Sequence, residues 1–281
     1  MNTEPCQPVI ATSRETALVE DFPLYLREAT FAWLKKATKE SHGYVYADLF
    51  VDFQNAYRND LGFESGVLMN WSEEVLPYLR RLNHEHFTNF LDYVMSRSPF
   101  PRSAEHPLER HLSDGGSAWT VTRWNEIYAR LSKRVSDGVT ASVQEALSAS
   151  DAASVKLQEA WMDAYGANPR ASVAYHNAVV AVETAALSVI PAGGPEPTLA
   201  NLFSILEADV PKWRLVFRDS EKAPGAKTLA AMLRTLWRGH ASRHGRPEYT
   251  DASLEEARAA VILAATLVQW LTSGVVIPTS P

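Results

Sequence analysis

Three long stretches in the second half of the chain carry small apolar residues at every third or fourth position. They run from about Thr140 to Tyr165, from about Ser172 to Ile190 and from about Asp251 to Leu271. This spacing places the apolar residues on one face of an α-helix. Because alanine is frequent on these faces, the helices can pack closely, as in an up-down bundle. The pattern predicts an all-α fold for this half.

Shorter elements lie between these stretches. Thr198 is the expected N-cap of a helix that continues through Leu206, and an amphipathic piece follows at Trp213 to Phe217. Another helix is predicted from Lys227 to about Ser242, since Gly245 and then Pro247 are typical of a helix end.

The first half of the chain also carries mainly helical patterns. Residues 1–18 resemble a flexible tail. The predicted helices are one capped by Asp21 with Pro23 in its first turn, and others over 44–58, 72–82, 86–95 and 105–112. Ser72 is the expected cap of the helix over 72–82, and Pro77 is expected to bend it.

One stretch has strand character. Alternation from Ala118 to Thr122 follows a turn at Asp114 to Ser117, and together with Ile127 and Tyr128 it can form a small β-hairpin. The expected organisation is a tail over 1–18, an α-helical N-terminal subdomain over 19–116, this hairpin as a connector over 117–135, and a helical bundle over 136–275.

Composition restricts the setting. Cys6 is the only cysteine, so neither a disulfide framework nor a thiolate metal site can form within the chain, which suits a reducing cytosol. The apolar runs are too short to span a bilayer, and the N-terminus lacks a signal-peptide pattern. A cytoplasmic protein without a membrane partner is expected.

Positive charge is concentrated in one segment of a chain whose net charge is −6. The segment from Pro211 to Pro247 holds two acids, Asp219 and Glu221, and nine basic residues. The basic residues are Lys212, Arg214, Arg218, Lys222, Lys227, Arg234, Arg238, Arg243 and Arg246. Such a patch on an acidic protein indicates an anionic partner. The alternative is a solvated helix face that acids from elsewhere in the fold neutralise.

The same segment contains the only catalytic constellation in the sequence. Phosphate-binding, dinucleotide-binding, zinc-protease and serine-hydrolase motifs are absent, so no cofactor and no metal are expected. The cluster consists of Arg234, Arg238, His240, Arg243 and His244. A histidine can take the proton of an RNA 2′-hydroxyl or give one to the leaving 5′-oxygen, and an arginine can hold the phosphate. RNA is therefore the expected partner. The alternative is that these cations simply favour the helix C-terminus through its dipole.

Helix geometry sets a condition on this site. Arg238 and His244 are six residues apart, so on one ideal helix their side chains would lie about 120° apart. The two converge if the helix loosens near Gly239 or if a second protomer contributes one of them.

The order of elements around this cluster is similar to a known family. An alanine-rich helix comes first, and the next helix contains Ala174-Tyr175-His176-Asn177-Ala178-Val179-Val180-Ala181-Val182-Glu183. A short helix follows, then the Arg-x5-His-Gly segment from Arg238 to Gly245, and then an apolar final helix. From about Thr140 to Ser273, the chain resembles the HEPN superfamily, in particular the C-terminal domain of abortive-infection proteins. At two places it differs from the usual family pattern: Gly239 follows the arginine, and no lysine follows Glu183 closely.

The resemblance implies a helical bundle and a homodimer whose interface carries the active residues. It implies that Arg238 binds phosphate, that His244 is the acid or base, and that Glu183 holds Arg238 in place. The other residues of the cluster, Arg234, His240 and Arg243, are expected to support the site or to bind substrate. The resulting hypothesis is a metal-independent RNA endonuclease of a phage-defence, abortive-infection or toxin system. The alternatives are an inactive module that binds RNA, a nucleotide or a protein, and a purely structural helical protein.

Overall fold

The computed structural model describes residues 18–39, 41–99, 105–124, 127–136, 151–239 and 251–279, together with positions 139, 143, 146, 147 and 149. The chain divides into two compact units, Met1–Arg134 and Val135–Pro281. The described residues are mostly helical and form three small two-stranded antiparallel sheets. None of the helices among them is long and apolar enough to cross a membrane.

The first unit contains five α-helices and four short strands within its described residues. The helices are α1 (Leu24–Ala37), α2 (Asp48–Tyr57), α3 (Leu76–Arg81), α4 (His84–Met95) and α5 (Pro107–Asp114). The strands are β1 (Tyr44–Tyr46), β2 (Leu68–Asn70), β3 (Trp119–Trp124) and β4 (Tyr128–Lys133). A π-helical turn, Trp71–Val75, leads directly into α3.

Aromatic side chains fill the core of the first unit. Phe90 is completely buried, stacks on Phe50 with ring centroids 5.0 Å apart, and meets Phe53 edge-on at 5.3 Å. Such ring pairs add stabilisation beyond the area that they bury.

Several predicted starts of elements in this unit were wrong. Tyr44–Tyr46 is a strand and not the first turn of a helix, because it pairs with Leu68–Asn70 across a 21-residue gap in sequence. Asn70 and not Ser72 caps the next turn, since its side-chain oxygen accepts hydrogen bonds from the backbone N–H groups of Ser72 and Glu73. Asp21 does not cap α1; its carboxylate lies 3.5 Å from His84 Nε2.

The predicted hairpin is present and longer than expected. β3 and β4 pair from Trp119–Lys133 to Trp124–Tyr128. The Asp92 carboxylate of α4 accepts a hydrogen bond from the Leu131 backbone N–H at 2.8 Å, which fixes the hairpin to that helix. The hairpin is therefore an integral part of the first unit, whereas the sequence suggested a connector.

The described residues of the second unit include five α-helices with defined bounds and one strand pair, and positions 139, 143, 146 and 147 are also helical. The helices are α6 (Ala152–Tyr165), α7 (Ala171–Val189), α8 (Leu199–Leu206), α9 (Gly225–Gly239) and α10 (Leu254–Thr272). The strands are β5 (Trp213–Leu215) and β6 (Val276–Pro278).

Helices α6, α7 and α10 pack against one another through small residues. Ala160, Ala181 and Ala264, one from each helix, are fully buried. With so small a side chain, the helix backbones can approach closely. Helix α9 packs on α8 and β5 and also contacts α7 and α10. The predicted helix face of small residues is thus the core of this unit.

The long helix predicted from about Thr140 to Tyr165 is interrupted, because Val143, Ala146 and Leu147 are helical whereas Ala149 and Asp151 are not. Asp151 has an extended backbone, with φ −75° and ψ 165°, and its Oδ1 accepts hydrogen bonds from the N–H groups of Ala153 and Ser154. These are the features of an N-cap, so a helix starts at Ala152 and does not continue through Asp151. The short C-terminal tail also contains an element that the sequence did not indicate, β6.

Candidate functional site

Helix α9 carries three cations of the basic segment, Lys227, Arg234 and Arg238, and is held by an apolar inner face. Leu229, Leu233 and Leu236 are at most 1% exposed. The opposite face, which includes Lys227, Thr235 and Arg238, is exposed. The three-four spacing of leucines therefore places the cations on the outside, as an amphipathic helix requires.

The start of α9 depends on a close backbone approach. Asp219 Oδ1 accepts a hydrogen bond from the Gly225 N–H at 2.6 Å. A Cβ at position 225 would lie only 2.8 Å from that oxygen and 3.2 Å from the Leu215 backbone nitrogen, so glycine fits this position best. One of the two acids of the basic segment thus serves the helix N-terminus, where negative charge is favourable.

The last two turns of α9 are attached to neighbouring helices. The Tyr175 hydroxyl of α7 donates a hydrogen bond to the Leu236 carbonyl at 3.2 Å, and burial raises the pKa of Tyr175. Trp237 meets Phe203 of α8 edge-on, with ring centroids 5.6 Å apart. The helix end that precedes the Arg/His cluster is therefore firmly positioned.

Arg234 is part of that attachment. Its Nη2 lies 2.6 Å from Glu207 Oε2, and its guanidinium sits 4.7 Å from the centre of the Phe203 ring. An arginine held by a carboxylate and an aromatic face supports the fold and is not free to follow a substrate.

Arg238 lies one helical turn further along and differs from Arg234. It is exposed and forms no ion pair with the residues that the structure describes. An i, i+4 step places it near Arg234 on the helix surface. Arg238 thus remains available to an anion from solution.

The predicted contact between Glu183 and Arg238 is not observed. Glu183 Oε1 instead accepts a hydrogen bond from the Leu199 backbone N–H at 2.6 Å, at the first residue of α8. Helix N-termini carry unsatisfied N–H groups, so a carboxylate from a neighbouring helix binds there readily. Glu183 supports the site indirectly, because α8 carries the Phe203 ring that packs against both Arg234 and Trp237.

The remaining predicted site residues, His240, Arg243 and His244, lie outside the described residues, but both flanks of their segment are defined. On one side is the end of α9, linked to α7 through Tyr175. On the other, Ser172 Oγ lies 2.9 Å from Asp251 Oδ1 and accepts a hydrogen bond from the Ala252 N–H at 3.2 Å. Both flanks of the segment 240–250 are therefore attached to the first turns of α7.

Most of the described cations of the basic segment form no ion pair with other described residues. Seven of the nine lie in the described part of the chain. Within that part, five are exposed and form no ion pair: Lys212, Arg218, Lys222, Lys227 and Arg238. Arg214 donates weakly to the Leu215 carbonyl at 3.4 Å, and Arg234 is the paired exception. Neutralisation of the segment by acids from elsewhere in the fold is thus limited to one residue among those described.

Two further features bear on ligands. No group of three or more His, Cys, Asp or Glu residues that could hold a metal occurs in the part of the chain described here.

The first unit has an open cavity of about 510 Å³ beside α3, lined by Phe63, Glu64, Glu73, Tyr78 and Arg81 among others. Burial raises the pKa of Tyr78 to about 12. The cavity contains none of the predicted site residues, which all belong to the second unit.

The sequence also gave no indication of the exposed ring of Phe217. The stretch from Trp213 to Phe217 read as amphipathic, yet 56% of Phe217 is exposed. The sequence shows Phe217 next to Arg218 and close to Lys222, but this order of residues does not reveal that the ring is exposed.

Comparison of the chain with known protein families, with functionally characterised proteins and with solved structures finds no match. Function must therefore be inferred from the residues themselves.

Proposed function

We propose that the second unit binds RNA through its basic segment and cleaves it without a metal, as a HEPN-like endonuclease of a phage-defence or toxin system in the cytoplasm. The observation that supports this most is the contrast within one helix. Arg234 is neutralised by Glu207, whereas Arg238 and four cations nearby in sequence are exposed without an ion pair among the described residues. Exposed cations without internal partners suit a phosphate backbone.

The chemistry needs only side chains of this chain. The ribose 2′-oxygen attacks the adjacent phosphorus, the bond from phosphorus to the 5′-oxygen breaks, and the products are a 2′,3′-cyclic phosphate and a 5′-hydroxyl. His244 accepts the proton of the 2′-hydroxyl and donates it to the leaving 5′-oxygen, and Arg238 offsets the charge that builds on the phosphate. In a homodimer, each site takes Arg238 and His244 from different protomers, which removes the angular conflict on a single helix.

A second candidate is a module that binds RNA without cleaving it. Two observations favour it. Glu183 is engaged at the start of α8 and not with Arg238, and Gly239 stands where a polar residue would follow the arginine. The basic segment would then serve affinity alone.

Incubation of the purified full chain with RNA in EDTA separates the two. The wild type should cleave, and His244→Ala should reduce the rate by about 10²–10⁴-fold, the usual contribution of a positioned acid or base. His111→Ala, at an exposed histidine of α5 in the first unit, is the matched control and should cleave normally.

Cleavage that persists in His244→Ala would refute the role of His244. Salt-sensitive RNA binding without cleavage by either protein would establish the binding module instead. A strictly monomeric mass of an active enzyme in solution would refute the shared site. In bacterial cells, induced wild type should arrest growth and His244→Ala should not.

A further inference from the structure

The exposed ring of Phe217 lies next to a second aromatic side chain. Phe217 and Trp270 of α10 have ring centroids 5.6 Å apart, with planes inclined at 62°. Phe217 is 56% exposed and its neighbour Val216 is 48% exposed, while Trp270 is partly exposed. An aromatic surface of this kind leaves ring area open to a ligand.

The backbone that carries Phe217 is fixed. The Val216 N–H donates to the Val275 carbonyl at 2.9 Å, continuing the pairing of β5 with β6. The Val275 N–H in turn donates to the Trp270 carbonyl at 3.1 Å. The two rings are thus joined through a short hydrogen-bonded path, and a ligand that stacks on Phe217 would meet a surface that is already ordered.

Positive charge flanks Phe217 in sequence. Arg218 follows Phe217 directly, Lys222 lies in the turn before α9, and Lys212 precedes β5; all three are exposed and form no ion pair with other described residues. Of the two acids, Asp219 is engaged with the Gly225 N–H. Glu221 is the second acid of the basic segment. Aromatic faces among such cations match a ligand that offers both flat rings and phosphates.

We infer that Phe217 and Trp270 form a stacking platform for unpaired bases, and that the segment selects single-stranded RNA. This rests on the proposed function and specifies its substrate. Bases in a duplex are stacked on each other and cannot lay a face on a protein ring, whereas bases of single strands can. Arg218 and Lys222 would follow the phosphates on either side of the stacked base.

The test uses the full chain with His244→Ala, so that RNA is bound and not cut. Fluorescence anisotropy compares a 12-nucleotide single strand with a duplex of the same sequence. Phe217→Ala should weaken binding of the single strand by about tenfold, the scale of one lost base stack. Phe217→Tyr should retain the affinity, and the duplex should bind weakly to every variant. Tyr46→Ala, an aromatic of the first unit that is 64% exposed, should change nothing.

Unchanged single-strand affinity in Phe217→Ala would overturn the platform, and so would equal binding of single strand and duplex. Absence of any RNA binding by the parent protein would instead overturn the proposed function. Loss of binding to phosphatidylserine vesicles by Phe217→Ala, with RNA affinity unchanged, would assign the surface to a lipid and also overturn the inference.

Discussion

In the first unit, arginines hold the fold together. Arg130 forms two-pronged hydrogen bonds with the buried carboxylate of Asp92, and Arg134 Nη2 lies 2.9 Å from Glu109 Oε1. In the second unit, the exposed cations between Lys212 and Arg238 form no ion pair among the described residues. Charges of the same kind therefore serve different purposes. The paired ones connect elements of the fold, and the exposed ones are open to a partner from solution.

The hydrophobic cores of the two units also differ, in the size of their side chains. Phenylalanines such as Phe50 and Phe90 fill the first unit, whereas alanines such as Ala181 and Ala264 line the helix contacts of the second. Large rings fill space between short, irregular elements, and small residues allow long helices to approach. Removal of side-chain atoms should therefore destabilise the first core, and addition of side-chain atoms should destabilise the second.

The largest effect is expected at the buried carboxylate of Asp92, which pairs with the partly exposed Arg130. Asp92→Ala removes the acceptor of both Arg130 and the Leu131 N–H and leaves a charge without its partner. The free energy of unfolding should fall by about 3–5 kcal/mol. Urea unfolding measures this. Glu28→Ala, which breaks the exposed contact with Arg80, is the control and should lower it by less than about 1 kcal/mol. Equal effects would show that burial does not distinguish these pairs.

A pH effect of similar size is expected from His106. Its side chain is 4% exposed, and desolvation together with the Arg123 charge lowers its pKa from 6.5 to about 4. Between about pH 6.5 and about pH 4, the unfolded chain therefore binds a proton at His106 that the folded chain does not bind. Stability falls as the pH drops from about 6.5 to about 4, by up to about 3 kcal/mol.

His106→Asn isolates this contribution. Asparagine can still accept the hydrogen bond that His106 Nδ1 accepts from the Leu108 N–H, but it does not titrate. Urea unfolding at pH 7 and pH 4 should show that the wild type loses more stability than the variant. Parallel losses would refute the assignment to His106.

How much of this could be predicted from sequence depends on the range of the interactions. The three-four spacing was enough for α7, expected over 172–190 and found over Ala171–Val189, because a long helix follows from its own residues. Strand β1 was missed since its hydrogen-bond partners lie at Leu68–Asn70. The start of α6 was missed because the apolar pattern continues through Asp151. The Asp151 side chain instead accepts hydrogen bonds from the backbone and begins a new helix.

The same limit applies to the candidate site. Sequence alone singled out the basic segment and Arg238, and the role of Arg238 in a site stays a prediction. It did not show that Glu207 neutralises Arg234, or that Glu183 faces the Leu199 N–H, because both contacts join different helices. The roles of His240, Arg243 and His244 remain predictions.

A smaller effect is expected from added volume in the second core. Ala264→Leu places three more carbon atoms where the alanine is fully buried, and it should lower the free energy of unfolding by about 1–3 kcal/mol. Ala231→Leu introduces the same atoms at an exposed position of α9 and should change it by less than about 0.5 kcal/mol. If Ala264→Leu were equally harmless, small residues would not be what sets the helix spacing.

The smallest effect on stability is expected at Arg238, where the comparison between paired and unpaired cations is sharpest. Arg238→Ala should leave the free energy of unfolding within about 0.5 kcal/mol of the wild type, since no ion pair among the described residues is lost. Arg234→Ala should lower it by about 1 kcal/mol, because the contacts with Glu207 and Phe203 disappear.

In RNA binding the order of the two variants should reverse. Arg238→Ala should reduce the dependence of log affinity on log salt by about one unit, as expected for one lost phosphate contact. Arg110→Ala, at an exposed arginine of the first unit, should leave that slope unchanged. A stability loss at Arg238 with an unaltered salt slope would show that this cation, too, belongs to the fold and not to an RNA-binding surface.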